Sequence, residues 1–340
     1  MPPASNLTVA VTGPTGDIGK AFLRALDQEP RVGRVLGMAR SPFDPASLGV
    51  RKTEYRQGDI LDREAVDALV QDADVVVHLA FIIVGDLAET REVNLNGSST
   101  VFEAVAKAAK PKRFVYTSSV AAYGFHADNP QPLTENVEPR GTESHYYSAQ
   151  KAELENTLEQ AFKGSGKDVY VFRPSIVAGP DAPALLEEIP YVQAADKLPS
   201  VLRTALGAVP LVKPVIPDPG VPFQLVHHDD VAQALLAAVL GNGKPGTYNL
   251  AGEGTITLSD LAKELGWYSV PVPDRAVDIT ADLVARLPLP AQAQWINAVR
   301  EPVIMDTSRV RQALDWKPRH PADATLRETV SAARSSGLIG

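Results

Sequence analysis

The chain opens with an apolar run, Leu7–Thr12, that breaks into Thr12-Gly13-Pro14-Thr15-Gly16-Asp17-Ile18-Gly19 and continues at helical spacing through Ile18, Phe22, Ala25 and Leu26. Few architectures tolerate that start. A strand turning directly into a helix needs glycine where the backbone bends sharply and where another group must approach without meeting a Cβ. The helix that follows presents unpaired N–H groups and the positive end of its dipole to whatever lies in the turn, which favours an anion. Further β-branched runs predict strands at Val35–Ala39, Thr53–Gln57, Val75–Leu79, Arg113–Ser118 and Val169–Arg173. Several are apolar on both faces, and helical patterns such as Val93, Val101 and Val105 separate them. That alternation implies βαβ units and a Rossmann-like, doubly wound parallel α/β sheet covered on both sides.

Beyond Arg173-Pro174 the texture changes. Pro180, Pro183, Pro190, Pro199, Pro210, Pro214, Pro217, Pro219 and Pro222 interrupt any long regular element. We expect a dinucleotide-binding domain over residues 1–178, with a returning segment at about 223–250 made of a strand at Phe223–Val226, a helix over Val231–Leu240 and a strand at Thr247–Leu250. A smaller substrate-binding lobe takes residues 179–222 and 251–305. A helical segment over 306–340 ends in a polar helix near Ala322–Ala333.

Composition narrows the function. A net charge of -8 and the lack of a basic cluster argue against nucleic acid as a partner and for a small-molecule substrate. With no cysteine, thiolate catalysis, disulfides and Cys-based metal sites are excluded. The short polar stretch Met1–Asn6 lacks the marks of a signal peptide, and the apolar run Val75–Val84 is too short for a membrane span of roughly 20 residues. The expectation is a cytoplasmic protein with no membrane partner. His78, His126, His145 and His320 are scattered, and His227-His228 are consecutive, so no metal set is expected.

In the opening turn, Gly13, Thr15, Gly16, Asp17 and Ile18 are the candidates for holding a dinucleotide pyrophosphate. The second strand ends in Ala39-Arg40-Ser41. Where an acidic side chain would meet a ribose 2′-hydroxyl, Arg40 suits a 2′-phosphate, so NADP(H) is expected in preference to NAD(H), with NAD(H) possible. The fifth strand runs into Ser118-Ser119, and Tyr147 and Lys151 follow at i and i+4, on one helix face. An ammonium beside a phenol favours its ionised form, which suits Tyr147 to exchange a proton at neutral pH. Ser119, at a strand's carboxyl end, is placed to hydrogen-bond a substrate oxygen. Tyr146 has Gln150 at i+4 and lacks such a partner.

Taken together, Thr12–Gly19, Ser119 and Tyr147-x-x-x-Lys151 resemble the extended short-chain dehydrogenase/reductase family, also called the NAD-dependent epimerase/dehydratase family, over nearly the whole chain. The resemblance implies cofactor contacts from Asp59 and Ile60 to adenine, from Leu79 and Ala80 in the loop after the fourth strand, from Asn94 in a Val-Asn-x-x-Gly segment, from Tyr147 and Lys151 to ribose, and from Pro174. It also implies dimerisation through helices, so a homodimer is possible. Asp229 or Asp230 is expected to cap the helix that follows them.

Three departures bear on the substrate. Nucleotide-sugar members commonly carry Asn where this chain has Ile176 and often Arg where it has Phe223. The dehydratase branch has Asp-Glu where Val120-Ala121 follow Ser119. What remains is a less polar pocket, with Leu185, Leu186, Ile189, Tyr191 and Leu202 in the lobe. The favoured expectation is a reversible NADP(H)-dependent ketone or secondary-alcohol oxidoreductase. The alternatives are an epimerase that keeps its NAD(H) bound and a cofactor sensor without turnover, against which the intact Ser-Tyr-Lys set argues.

Overall fold

Seven strands, all parallel, build the central sheet: β1 (Leu7–Thr12), β2 (Val32–Ala39), β3 (Thr53–Gln57), β4 (Val75–His78), β5 (Arg113–Thr117), β6 (Asp168–Pro174) and β10 (Gly246–Leu250). Their order is β10-β6-β5-β4-β1-β2-β3. The sequence turns back between β1 and β4, so the crevice at the carboxyl ends of those two strands is where an open α/β sheet of this kind receives a ligand. The computed structural model describes residues 6–83, 87–187, 189, 192, 213–272 and 301–339.

Side-chain alternation along the strands divides the core into two layers. Val9, Val11, Val75 and Val77 face α1 (Asp17–Gln28) and α7 (His228–Val239), where Phe22, Leu26 and Leu235 are fully buried. Ala10, Leu36 and Val76 face the other way. They meet α2 (Arg63–Val70), α4 (Ser98–Lys107) and α5 (Tyr146–Phe162) through Leu69, Phe102, Leu154 and Leu158. Each fully buried Leu or Phe contributes about 1.5–3 kcal/mol. Between α3 (Leu87–Arg91) and α4 the helix passes through a π-helical stretch, Glu92–Gly97, in which Asn94 is fully buried. π-bulges of this kind recur at functional sites.

A third apolar cluster lies off the sheet. It joins β7 (Ile176–Ala178), α6 (Ala184–Glu187), α8 (Leu258–Leu265) and α10 (Ala322–Ser336) through Leu186, Ile189, Leu261, Leu326 and Val330. Beside it, β8 (Val215–Asp218) and β11 (Tyr268–Pro271) pair in parallel. The helix α9 (Ser308–Leu314) sends Val310 and Leu314 into the first sheet layer instead. Tyr191 and Leu202, with Pro190, Pro199 and Pro210, lie outside the described residues.

Three expectations are corrected. The first correction is one of bounds: the strand anticipated at Phe223–Val226 is β9 (Leu225–His227), and it pairs with β7. The place beside β6 is taken by β10, and the segment pairs with the continuation of β6 past Pro174. Phe223 instead makes a single antiparallel bridge to Ile256. Neither Asp229 nor Asp230 caps α7: that helix begins earlier, His227 is its N-cap, and its ring accepts the Asp229 N–H at 3.2 Å. Both aspartates therefore sit in the first turn, where the helix dipole favours them. The Asp230 carboxylate accepts N–H groups from Arg319 and His320 at 2.9 and 3.1 Å. Third, the histidines are not all scattered. The His227 ring lies 4.2 Å from that of His228 and 3.9 Å from that of His320, centroid to centroid.

That stack is a hydrogen-bonded one. His227 Nδ1 and His228 Nε2 each accept a backbone N–H, from Asp229 and from Asp181 at 3.3 Å. His227 Nε2 stands 3.3 Å from Glu328 and His228 Nδ1 3.1 Å from Asp229. Burial, with the neighbouring rings adding, holds the His227 pKa below its ordinary value. Although His227, His320 and Glu328 bring potential ligand atoms within 4.8 Å of one another, ligation through His227 Nε2 would require giving up the tautomer that the Asp229 amide imposes.

Candidate active site

The crevice between β1 and β4 widens into a cavity of about 750 Å³ whose floor is the opening turn and whose far wall is the apolar lobe. Gly13 adopts φ +73°, and a Cβ there would lie 2.6 Å from Ala80 N, so the turn and the loop after β4 are in backbone contact that only glycine permits. Gly16 is the N-cap of α1 and has no side chain to cap it, which leaves the first N–H groups of the helix to a ligand. These features fit a pyrophosphate. Gly13, Gly16, Asp17, Ile18 and Leu79 line the cavity, and Thr15 is half-buried in the same turn. Burial, reinforced by Glu187, raises the Asp17 pKa above its ordinary value.

Three elements bring the catalytic candidates together. Ser119 follows β5 and caps the short 3-10 turn Val120–Tyr123, its Oγ accepting the Ala121 N–H at 3.1 Å. Because that bond uses a lone pair, the hydroxyl proton remains for a substrate oxygen. Tyr147 and Lys151 lie one turn apart on α5, as their spacing requires, and the Lys151 Nζ is 5.8 Å from the Tyr147 ring centre. Lys151 is 3% exposed and donates to the Thr117 carbonyl at 3.1 Å. Burial pulls its pKa down to about 7, against the opposing pull of Glu155. Phe81 closes this corner: its ring lies 3.9 Å from the Lys151 Nζ and meets Tyr147 edge-on at 5.3 Å. Ser119, Tyr147, Lys151 and Pro174 all line the cavity. Tyr146 also lines it, and its hydroxyl is bound to the Ile83 carbonyl.

The remaining sequence candidates lie around the cavity. Asn94 spends its amide on the backbone of Ile82, at 2.8 and 2.9 Å, and on Gln150 at 2.9 Å, tying the loop after β4 to α5. Ile60 is buried against Gly97, and Asp59 accepts the Leu61 N–H at 3.0 Å. Arg40 is exposed at the end of β2 and pairs with Glu89 at 3.3 Å. Sequence reasoning passed over Phe81, whose position after Ala80 was the available signal, and His145. The latter caps α5 by accepting the Ser148 N–H at 3.3 Å, and its ring lies between Phe125 and Tyr147.

The far wall is apolar. Ile176 and Phe223, where nucleotide-sugar relatives were expected to differ, both face the cavity with Leu185, Ile189, Val221, Leu258 and Leu261. Among the described residues that line it, Lys151 is the one lysine, and there is no arginine. Among the described residues no helix is long and apolar enough to cross a membrane.

Comparison with known proteins shows the family and the fold. Residues 9–251 match the model of the NAD dependent epimerase/dehydratase family. An uncharacterised protein of Sinorhizobium fredii is 27% identical over 335 residues, covering 95% of this chain and 77% of its own. A ceramide reductase of Caulobacter vibrioides is 25% identical over 325 residues, covering 91% and 86%. In fold the chain is similar to the UDP-glucose 4-epimerase of Thermotoga maritima, with a TM-score of 0.72 at 22% identity over 97% of this chain and 99% of that one.

Proposed function

The chain belongs to the NAD dependent epimerase/dehydratase family as one of its enzymes, and on that premise we propose that it catalyses reversible hydride transfer between NADP(H) and a ketone or secondary alcohol of a small, apolar substrate in the cytoplasm. The observation that carries this reading is the convergence of Ser119, Tyr147 and Lys151 with the glycine turn on one cavity walled by Ile176, Phe223 and other apolar side chains. A nicotinamide cofactor, when bound, supplies or removes the hydride. The protein's own groups do the rest. The turn from Gly13 to Ile18 and the uncapped start of α1 hold the pyrophosphate. Ser119 donates to the substrate oxygen, Tyr147 delivers or accepts its proton, and Lys151 favours the ionised tyrosine and holds ribose. Asp59, Ile60, Leu79, Ala80, Asn94 and Pro174 complete the cofactor site by contact or by support. The apolar wall excludes water from the reacting carbonyl, and the lack of a second lysine or arginine on it, among the described residues, leaves a diphosphate without a countercharge. The Caulobacter relative's name, ceramide reductase, fits an apolar substrate.

A second reading, an epimerase that retains NAD(H), draws on the pairing of Arg40 with Glu89, whose carboxylate opposes a 2′-phosphate. Fluorescence titration with NADPH and NADH, for the wild type and Arg40→Ala, separates the two, with nicotinamide absorbance followed over a panel of ketones. Tighter NADPH binding that Arg40→Ala abolishes, together with reduction of an apolar ketone, supports the reductase. A protein purified with NAD(H) already bound and inert toward every ketone supports the epimerase.

A further inference from the structure

Below the cavity floor, Glu155 joins three elements that carry reacting groups. It lies one turn past Lys151 on α5, its side chain 9% exposed. Its Oε1 accepts from Ser118 Oγ at 2.5 Å and from Arg173 Nε at 2.9 Å, and its Oε2 accepts from Arg173 Nη2 at 2.5 Å. Ser118 is the residue before Ser119, and Arg173 the residue before Pro174. Arg173 is 3% exposed and its guanidinium lies 4.4 Å from the Tyr123 ring centre. Burial alone would lower the Arg173 pKa, but the bonds and charge of Glu155 raise it above its ordinary value. A buried, bidentate ion pair is weak evidence for stability, because desolvating both charges offsets their attraction. Its geometry, by contrast, is stiff.

We infer that Glu155 is a positioning residue for this active site: its carboxylate holds α5, the end of β5 and the end of β6 in the register that aims Tyr147, Lys151 and Ser119 at one point. The inference rests on the reductase reading for its catalytic consequence. It also has one that does not depend on turnover. Besides the Phe81 ring, the groups facing Lys151 are Tyr147 and Glu155 from its own helix, Tyr116 from β5 with its ring 5.4 Å away, the Thr117 carbonyl, and His78 from β4, which burial and then Lys151 hold neutral with a pKa of about 3. Glu155 is the one anion among them. Replacing it with glutamine removes that anion and leaves the Arg173 cation uncompensated nearby, and both changes disfavour the protonated Lys151.

The experiment compares wild type, Glu155→Gln and Ser118→Ala by thermal melting, by NMR titration of Lys151 in protein carrying 13Cε-lysine, and by steady-state reduction of a ketone. In Glu155→Gln we expect Lys151 to titrate at least ~1 pH unit below the wild-type value, and kcat to fall about tenfold or more with KM little changed. In Ser118→Ala, which removes one hydroxyl, we expect a loss of roughly 3–10-fold in kcat. A folded Glu155→Gln in which Lys151 titrates as in wild type overturns the inference. Should that variant fail to fold, Ser118→Ala decides, and an unchanged kcat overturns it. A wild type that reduces no ketone overturns the reductase reading alone, because the Lys151 titration still decides this one.

Discussion

Replacing Lys151 with methionine should make the protein more stable at neutral pH while abolishing turnover. Burial lowers the pKa of this lysine from 10.5 to about 7. A group whose folded pKa lies below its unfolded value binds its proton more weakly in the folded state. The cost of holding it protonated is therefore present in full below about pH 7, shrinks as the pH rises toward 10.5, and vanishes above that. At about 1.4 kcal/mol per pH unit of displacement, the difference of roughly 3.5 corresponds to about 5 kcal/mol at low pH. Methionine removes the charge, keeps the length and apolar bulk of the side chain, and forfeits the bond to the Thr117 carbonyl, worth about 1 kcal/mol. The Phe81 ring, 3.9 Å from the ammonium, loses a cation and retains an apolar neighbour. The net expectation at pH 6–7 is a gain of about 3 kcal/mol, and a melting temperature higher by several degrees. Chemical denaturation of both proteins from pH 6 to pH 10 checks it, since groups remote from Lys151 titrate alike in the two and cancel in the difference. The difference should narrow steadily between about pH 7 and 10. A Lys151→Met variant that is less stable than wild type at pH 6, or a gap that does not narrow with pH, would refute the argument that this lysine is held against a desolvation cost.

Two further outcomes follow from the cavity. Tyr147→Phe should cost about 10²–10⁴-fold in kcat, while Tyr146→Phe, whose hydroxyl is bound to the Ile83 carbonyl, should retain most of the activity. Ketone reduction by the two variants under matched conditions separates them. Gly13→Ala places a methyl 2.6 Å from Ala80 N at φ +73°, so cofactor affinity should fall at least tenfold and stability by about 1–2 kcal/mol or more, measured by NADPH titration and denaturation.

How much of this was legible beforehand depends on whether a feature is local. The sequence pattern located all seven strands of the sheet to within a few residues, because each carries its own apolar run and each βα unit its own punctuation. The glycine turn was legible for the same reason: Gly13 and Gly16 act through the backbone of a few consecutive residues. Tyr147 and Lys151 were legible as a pair because helical spacing itself puts them on one face. Asp229 and Asp230 misled because capping turns on where the first helical hydrogen bond falls, and His227 took that place.

Other features were settled by what meets across the fold. The stack of His227 on His228 and His320 joins residues more than ninety positions apart, and no local pattern encodes it. The pairing of β9 with β7, and of β10 with β6, likewise joins segments distant in the chain. In the cavity, the sequence by itself determined which chemical groups were available: a serine after a strand, a tyrosine and lysine on a helix, an apolar isoleucine and phenylalanine in place of polar residues. Only the tertiary structure decided that Lys151 loses its water, that Phe81 covers it, and that Glu155 fastens to Ser118 and Arg173. Desolvation and long-range ion pairing arise when separate elements pack together, and they have no counterpart in the order of residues along the chain.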